Sequence, residues 1–296
     1  MPQFMFALGF IGFGEAGSTI ATGLRSAGVD RIVAYDINTN DSTFGPRILE
    51  RAAEAQATLV ESPAALAKAC DIIFSTVTSS SSLDAAKQTV AFLTGRHTYA
   101  DLNSVSPTLK REIDGVVTAS GASFVEVAVM APVQPYGHKV PMLLGGAGAQ
   151  ALARTMTPFG MRMDVLEGAT IGSAAAVKMC RSIVIKGLEA LLFECVMAAT
   201  KFDADKLVFA SLDESFPGMN WKKLADYTSG RVVVHGERRA REMEEVAEAL
   251  KAIGIDPIMA EATARRQDWS AQMDLRAHFG PEDRRRTGKL STSSRI

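Results

Sequence analysis

Gly12-Phe13-Gly14-Glu15-Ala16-Gly17 stands between an apolar run, Phe6–Ile11, and a stretch with helical spacing, Ala16–Ala27. This context restricts the chain more than any other feature. A strand that ends in glycines spaced this way and turns at once into a helix predicts a βαβ unit whose loop admits a phosphate. Gly12 permits the tight turn, Gly14 lets the backbone approach a pyrophosphate, and Gly17 lets the helix pack closely on the strand. Phe13, Glu15 and Ala16 complete the candidate loop, because a helix N-terminus offers N–H groups and partial positive charge to phosphates. A second apolar run, Arg31–Tyr35, leads into Asp36, about 20 residues beyond the last glycine. Its carboxylate can accept hydrogen bonds from ribose hydroxyls and would repel a 2′-phosphate, and no Arg follows directly. The cofactor expected is NAD in preference to NADP.

The texture of the first half supports that unit. Further short apolar runs occur at Asp71–Thr76, Thr98–Leu102, Ser123–Val129 and Met142–Leu144. Helical spacing separates them at Ala64–Ala69, Leu83–Phe92 and Pro107–Thr118. Alternating strand and helix predicts right-handed crossovers, a mostly parallel doubly wound sheet and a Rossmann α/β domain over residues 1–167. Near Gly168 the pattern changes, and residues 168–296 are expected to form an all-α domain. A long helix is predicted over about 170–202, followed by helical stretches at Lys206–Glu214, Asn220–Thr228, Glu237–Ile253 and Pro257–Gln272. Arg231–Val234 is the one segment there that reads as a short strand, and the polar, basic tail from about residue 279 is expected to fray.

Composition excludes several classes. With 296 residues, 47% hydrophobic and 22% charged, the chain can build two ordinary globular domains. A formal net charge of −1 gives no reason to expect nucleic acid or an anionic membrane as partner. The apolar stretch Ile183–Ala199 is interrupted by Lys186, Glu189 and Glu194, which fits a buried helix better than a membrane span. The N-terminus lacks a basic region before its apolar residues, so a signal peptide is not expected and the cytoplasm is the expected location. Cys180 and Cys195, on one predicted helix, would be roughly 22 Å apart, too far for a disulfide. With Cys70 they show no zinc-ligand spacing, and no metal is expected.

Three segments resemble the β-hydroxyacid dehydrogenase superfamily, which includes 3-hydroxyisobutyrate, tartronate semialdehyde and 6-phosphogluconate dehydrogenases. Gly9-Phe10-Ile11-Gly12-Phe13-Gly14 is similar to its opening, Asp101-Leu102-Asn103-Ser104-Val105-Ser106-Pro107 to its Asp-x-Ser-Thr-x-x-Pro segment, and Gly172-Ser173-Ala174-Ala175-Ala176-Val177-Lys178 to its catalytic-lysine helix. The likeness runs over most of the chain, in the family's order. It implies a Rossmann domain, a helical second domain and a homodimer. It also implies an acid/base role for Lys178, and contact of Asn103 with the cofactor and of Ser104 with the substrate. The chemistry is reasonable by itself: oxidising an alcohol requires removal of its O–H proton, and a partly desolvated lysine can accept it. Thr76 and Val77 end a strand at its carboxyl edge, where cofactors lie in open α/β sheets, and are expected to contact the cofactor too.

Two departures bear on the substrate. The family has Asn four residues beyond the lysine, where this chain has Ser182. Its substrate loop, Asp-Ala-Pro-Val-Ser-Gly-Gly, corresponds to Glu126-Val127-Ala128-Val129-Met130-Ala131-Pro132. Met130, Ala131, Pro132 and Ser182 are therefore the expected substrate contacts, with a substrate bulkier or less anionic than 3-hydroxyisobutyrate. Gln134, Pro135, Tyr136 and His138 follow in the same loop. Farther on, His235, Arg238 and Arg239 lie in a segment that looks like a less characterised branch of the superfamily. Arg239 is a candidate for holding a substrate anion, against the alternative of a solvated charged helix.

The reading is an NAD-dependent oxidoreductase acting at the hydroxyl carbon of a small 3-hydroxyacid-like substrate. Imine reduction and non-catalytic dinucleotide sensing are the alternatives. The intact Lys178 weighs against both, and the altered loop keeps the sensor open.

Overall fold

The computed structural model describes residues 6–273, and the expected fraying from residue 279 lies outside them. The chain divides into two compact units inside one long helix, between Lys178 and Met179. The sequence had suggested a boundary ahead of that helix, near residue 167.

Among the described residues the first unit forms an eight-stranded sheet, β1 Leu8–Ile11, β2 Ile32–Tyr35, β3 Thr58–Leu59, β4 Ile72–Ser75, β5 Thr98–Asp101, β6 Ser123–Val129, β7 Pro141–Gly145 and β8 Arg162–Val165. Their order across the sheet is β3-β2-β1-β4-β5-β6-β7-β8. β1 to β6 run parallel, β7 pairs antiparallel with β6, and β8 is parallel to β7. The helices of this unit are α1 Glu15–Ser26, α2 Gly45–Glu54, α3 Pro63–Ala69, α4 Ser82–Val90, α5 Pro107–Thr118, the single turn α6 Val133–Tyr136, and α7 Ala149–Met156. Strand order reverses between β1 and β4, and ligands of open α/β sheets bind outside the carboxyl ends of strands at such a point.

Apolar clusters on both faces explain why the central strands are continuously apolar. Leu8, Phe10 and Phe74 pack with α1 through Ile20, Ala21 and Leu24 on one face. Ile11, Ile73 and Tyr99 pack with Leu66, Ile113 and Val117 on the other. Each fully buried Leu, Ile or Phe among these contributes about 1.5–3 kcal/mol. Ser62 and Ser106 cap α3 and α5, accepting from Ala65 N and Leu109 N at 3.2 Å each. β8 escapes a search for apolar runs because Arg162-Met163-Asp164-Val165 alternates, as an edge strand with one wet face does.

The long helix is α8, Ser173–Lys201, and it is followed by α9 Asp205–Ser215, α10 Trp221–Lys251 and α11 Ile258–Gln272. In the second unit α10 and α11 pack through Met243, Val246 and Ala247 against Ala260 and Ala264, with Met179 and Ile183 of α8 beside them. Two expectations are corrected. Arg231–Val234 is not a strand, and Asn220–Thr228 and Glu237–Ile253 are not separate helices: all belong to α10 or to the residues at its two ends. β-branched residues favour strands only weakly against packing, and Val232 and Val233 bury themselves on Phe193 as part of a helix face.

Charges in this unit are paired where they are buried. Glu189 accepts from Arg231 at 3.1 Å and from Arg239, and Lys186 lies 2.7 Å from Glu242. Burial pushes the Glu189 carboxyl up and the Lys186 ammonium down. No described helix is long and apolar enough to cross a membrane.

Candidate functional site

The carboxyl ends of β1, β2, β4 and β5 bring most of the expected residues of the first unit to one edge. Gly12 follows β1 with φ +81°, a conformation open to glycine, and a Cβ there would stand 2.8 Å from the Thr76 carbonyl oxygen. At Gly17 a Cβ would come within 2.8 Å of the Gly12 carbonyl. At Gly14 it would meet nothing within 4 Å. Two glycines therefore close the loop against β4 and α1, and the third leaves open space above the backbone. No side chain caps α1, so Glu15 and Ala16 begin it with exposed side chains and no competing acceptor. These features fit a dinucleotide's pyrophosphate.

Phe13 contributes to this edge through its backbone alone. Its ring is fully buried and packs edge-on against Phe10, with centroids 5.8 Å apart. Its N–H donates to Asp36 Oδ2 at 2.7 Å, and the Asn38 N–H donates to Asp36 Oδ1 at 2.9 Å. Asp36 is thus held at the end of β2 beside the glycine loop, half-buried, as a ribose acceptor must be. Thr76 locks the loop from the other side, donating its hydroxyl to the Gly12 carbonyl at 2.7 Å. Val77 is half-buried against the same turn, 2.8 Å from where a Gly12 Cβ would be.

One strand over, Asn103 is 4% exposed and held by its amide nitrogen, which donates to Ser75 Oγ at 2.9 Å and to Asp101 Oδ1. Its side-chain oxygen is buried without a partner. An acceptor in that state favours the approach of a donor, since an unsatisfied buried polar group costs about 1–3 kcal/mol. A nicotinamide carboxamide or a ribose hydroxyl would be a donor of that kind. Beneath it Asp101 pairs with Lys110, both buried.

Ser104 follows Asn103 and accepts a hydrogen bond from Lys178 Nζ. Both residues are half-buried. The sequence separates them by 74 positions, and the fold joins the lysine at the start of α8 to the end of β5. Met130, Ala131 and Pro132 leave the end of β6, with Met130 tied by its N–H to the Pro141 carbonyl at 2.9 Å. The rest of that loop rests on α1: Gln134 Nε2 reaches Thr19 Oγ1 at 3.4 Å, and His138 sits where a Cβ on Gly23 would be.

The remaining expected residues belong to the second unit. Ser182 is half-buried on α8, one turn beyond Lys178. Arg239 is buried, its guanidinium committed to Glu189, so its charge has an internal partner. Arg238 pairs with Glu242 on its own helix.

Sequence reasoning missed three residues. Lys110 and Asp101 form the buried pair under Asn103, and Glu126, quoted there only as part of a loop, is a fully buried carboxylate. A signal existed for two of them: Asp101 and Glu126 each interrupt an apolar strand, where a charge survives only with partners. Among the described residues no three His, Cys, Asp or Glu side chains gather as metal ligands.

The NAD binding domain of 6-phosphogluconate dehydrogenase matches residues 7–156, the whole glycine loop and sheet through α7. The chain belongs to the β-hydroxyacid dehydrogenase superfamily. Residues 7–156 are thus the NAD(P)-binding domain of a 3-hydroxyacid dehydrogenase-like oxidoreductase, in a branch whose helical part carries its own family, a domain of unknown function (DUF1932) over residues 199–270. Among solved structures, a conserved hypothetical protein from Sinorhizobium meliloti is 36% identical, with 90% of this chain and 88% of that one covered and a TM-score of 0.76. A conserved protein of unknown function, described as structurally similar to 3-hydroxyacid dehydrogenases, is 30% identical over 91% of this chain and 98% of its own, with a TM-score of 0.73. The mitochondrial 3-hydroxyisobutyrate dehydrogenase of Drosophila melanogaster is 24% identical over 72% of this chain and 64% of its own length.

Proposed function

We propose that this superfamily member oxidises the hydroxyl carbon of a small 3-hydroxyacid-like substrate, or reduces the matching carbonyl, with Lys178 as general acid/base and NAD as cofactor. The observation that carries the reading is the hydrogen bond from Lys178 Nζ to Ser104 Oγ, one residue from the unsatisfied oxygen of Asn103. When bound, the nicotinamide supplies the acceptor or donor of the hydride. The chain's own work is to hold and to move a proton. In the oxidative direction Lys178, as the free amine, takes the proton from the substrate hydroxyl; in the reductive direction its ammonium returns one. Ser104 Oγ fixes the lysine and offers the substrate oxygen a second hydrogen-bonding group. Met130, Ala131 and Pro132 bound the substrate side of the first unit with apolar groups, which favours a bulkier or less anionic molecule than 3-hydroxyisobutyrate. Ser182, one turn along α8, is the further proposed contact. Arg239 is not among them, because it is buried with its guanidinium held on Glu189.

NAD is preferred because the Asp36 carboxylate, fixed by Phe13 and Asn38, would face a 2′-phosphate with like charge.

The test is NADH formation, followed by absorbance with NAD or NADP over a panel of 3-hydroxy acids, aldonates, 3-hydroxy amino acids and aryl-substituted hydroxy compounds. Lys178→Ala is expected to remove about 100-fold or more of kcat, the usual contribution of general acid–base catalysis. Asp36→Ala is expected to lower the preference for NAD over NADP about tenfold, for a lost charged hydrogen bond. Turnover that survives Lys178→Ala overturns the alcohol chemistry. Tight NADH binding without turnover on any substrate replaces the enzyme with a sensor.

A further inference from the structure

We propose that Glu126 is a positioning residue for Lys178: its buried carboxylate caps the helix that carries the lysine and sets where the ammonium lies relative to Ser104. This rests on the acid/base reading of Lys178.

Glu126 lies in the middle of β6 and is fully buried. Its Oε1 accepts from Gly172 N at 2.9 Å and from Ala174 N at 3.1 Å, and its Oε2 accepts from Ala175 N at 3.4 Å. These donors belong to the entry and first turn of α8. A carboxylate there satisfies N–H groups that have no partner within the helix and meets the positive end of its dipole. Lys178 follows one turn after Ala174, on the same rigid element.

Three further contacts make the joint specific. Opposite Glu126 in the β6–β7 register stands Gly145, where a Cβ would lie 2.5 Å from Glu126 Oε1, so the glycine vacates the space that the carboxylate fills. Gly172 takes φ +100° and packs so closely on α5 that a Cβ would lie 3.0 Å from the Pro107 carbonyl. Ser104 then receives the lysine itself. The start of α8 is thus fixed to β6 by Glu126 and to the β5–α5 connection by Gly172 and Ser104. A helix held at both places cannot slide or rotate without breaking charge-assisted hydrogen bonds, those to Glu126 being buried. Displacing a proton-transfer group by about 1 Å can cost about 100-fold in rate.

The experiment uses the full chain and two variants. Glu126→Gln keeps the shape but turns an N–H₂ group toward helix amides that also donate. Gly145→Ala keeps the charge and pushes the carboxylate aside, and serves as the second probe should Glu126→Gln fold poorly. The first readout needs no substrate: acetylation of Lys178 by acetic anhydride across pH, mapped by mass spectrometry and scaled to the exposed Lys87. Release of the ammonium from Ser104 is expected to raise its relative labelling about threefold or more in both variants, with NADH affinity changed less than about twofold. With an active substrate in hand, kcat is expected to fall about 10- to 100-fold while KM holds, and Glu126→Asp to recover part of the loss. Unchanged Lys178 labelling in a folded variant overturns the proposal, as does a lower melting temperature with kcat intact. Silence across the substrate panel would overturn the dehydrogenase reading, and the labelling result would still decide the role of Glu126.

Discussion

Lys110 Nζ donates to the Asp101 carbonyl oxygen at 2.7 Å and to Asp101 Oδ2 at 2.8 Å, in a pair that solvent barely reaches. The other carboxylate oxygen accepts from Asn103 twice, from the backbone N–H and from the side-chain amide, whose nitrogen also donates to Ser75 Oγ. One charge pair therefore decides which way the Asn103 amide faces. Removing a single partner of a buried pair strands the other, at about 3–5 kcal/mol. Lys110→Met is expected to destabilise the first unit by that amount in urea unfolding, and Asp101→Asn combined with Lys110→Met to recover most of it. If the Asn103 oxygen accepts from the nicotinamide half, the double variant is expected to bind NADH about tenfold more weakly than the parent while binding ADP-ribose equally well. Equal losses for both ligands would place Asn103 elsewhere in the cofactor site.

The glycine loop separates folding from binding at two neighbouring positions. Gly17→Ala sets a methyl against backbone 2.8 Å away and is expected to cost about 1–3 kcal/mol of stability. Gly14, with φ −70° and open space above it, tolerates a methyl in the free protein to within about 0.5 kcal/mol. That methyl then occupies the room a pyrophosphate needs. Gly14→Ala is expected to leave the melting temperature in place and to abolish measurable NADH binding by fluorescence. Retained binding would mean that the phosphates lie away from this residue.

His138 makes the loop after β6 sensitive to pH. Burial first, and the charge of Lys139 second, hold its imidazole below the ordinary value of 6.5. The unfolded or released loop binds the proton more readily than the seated one. The stabilising contribution is therefore complete above pH 6.5 and is lost as pH falls through the lower, folded value. Hydrogen exchange across residues 130–140 is expected to quicken as pH drops below 6.5, after correction for the intrinsic rate, and His138→Asn to remove that dependence. Exchange that follows the intrinsic rate alone would show that the imidazole does not hold the loop.

Much of the architecture was legible in the sequence because it is written in neighbouring residues. The turn at Gly12 needs a positive φ, the strand before it needs two covered faces, and α1 begins where the apolar spacing changes; each is settled within a few positions. The same holds for Asp36, whose distance from the loop is fixed by one helix and one strand. Arg231–Val234 misled because three valines in a row favour a strand locally, and Phe193, far away in the chain, packs with Val232 and Val233 as part of a helix face.

Charges were the least legible part. Arg239 has the residue type of an anion site, yet the tertiary structure spends it on Glu189, 50 positions away. Glu126 read as one letter of a loop until α8 came down on it.

By itself, then, the sequence determined the dinucleotide loop and the α/β-then-α order, since these follow from backbone sterics and from the periodicity of burial. The tertiary structure alone decided what Lys178, Asn103, Glu126 and Arg239 touch. Hydrogen bonds and ion pairs in a buried site depend on distance and desolvation, and those exist only after segments distant in sequence have packed.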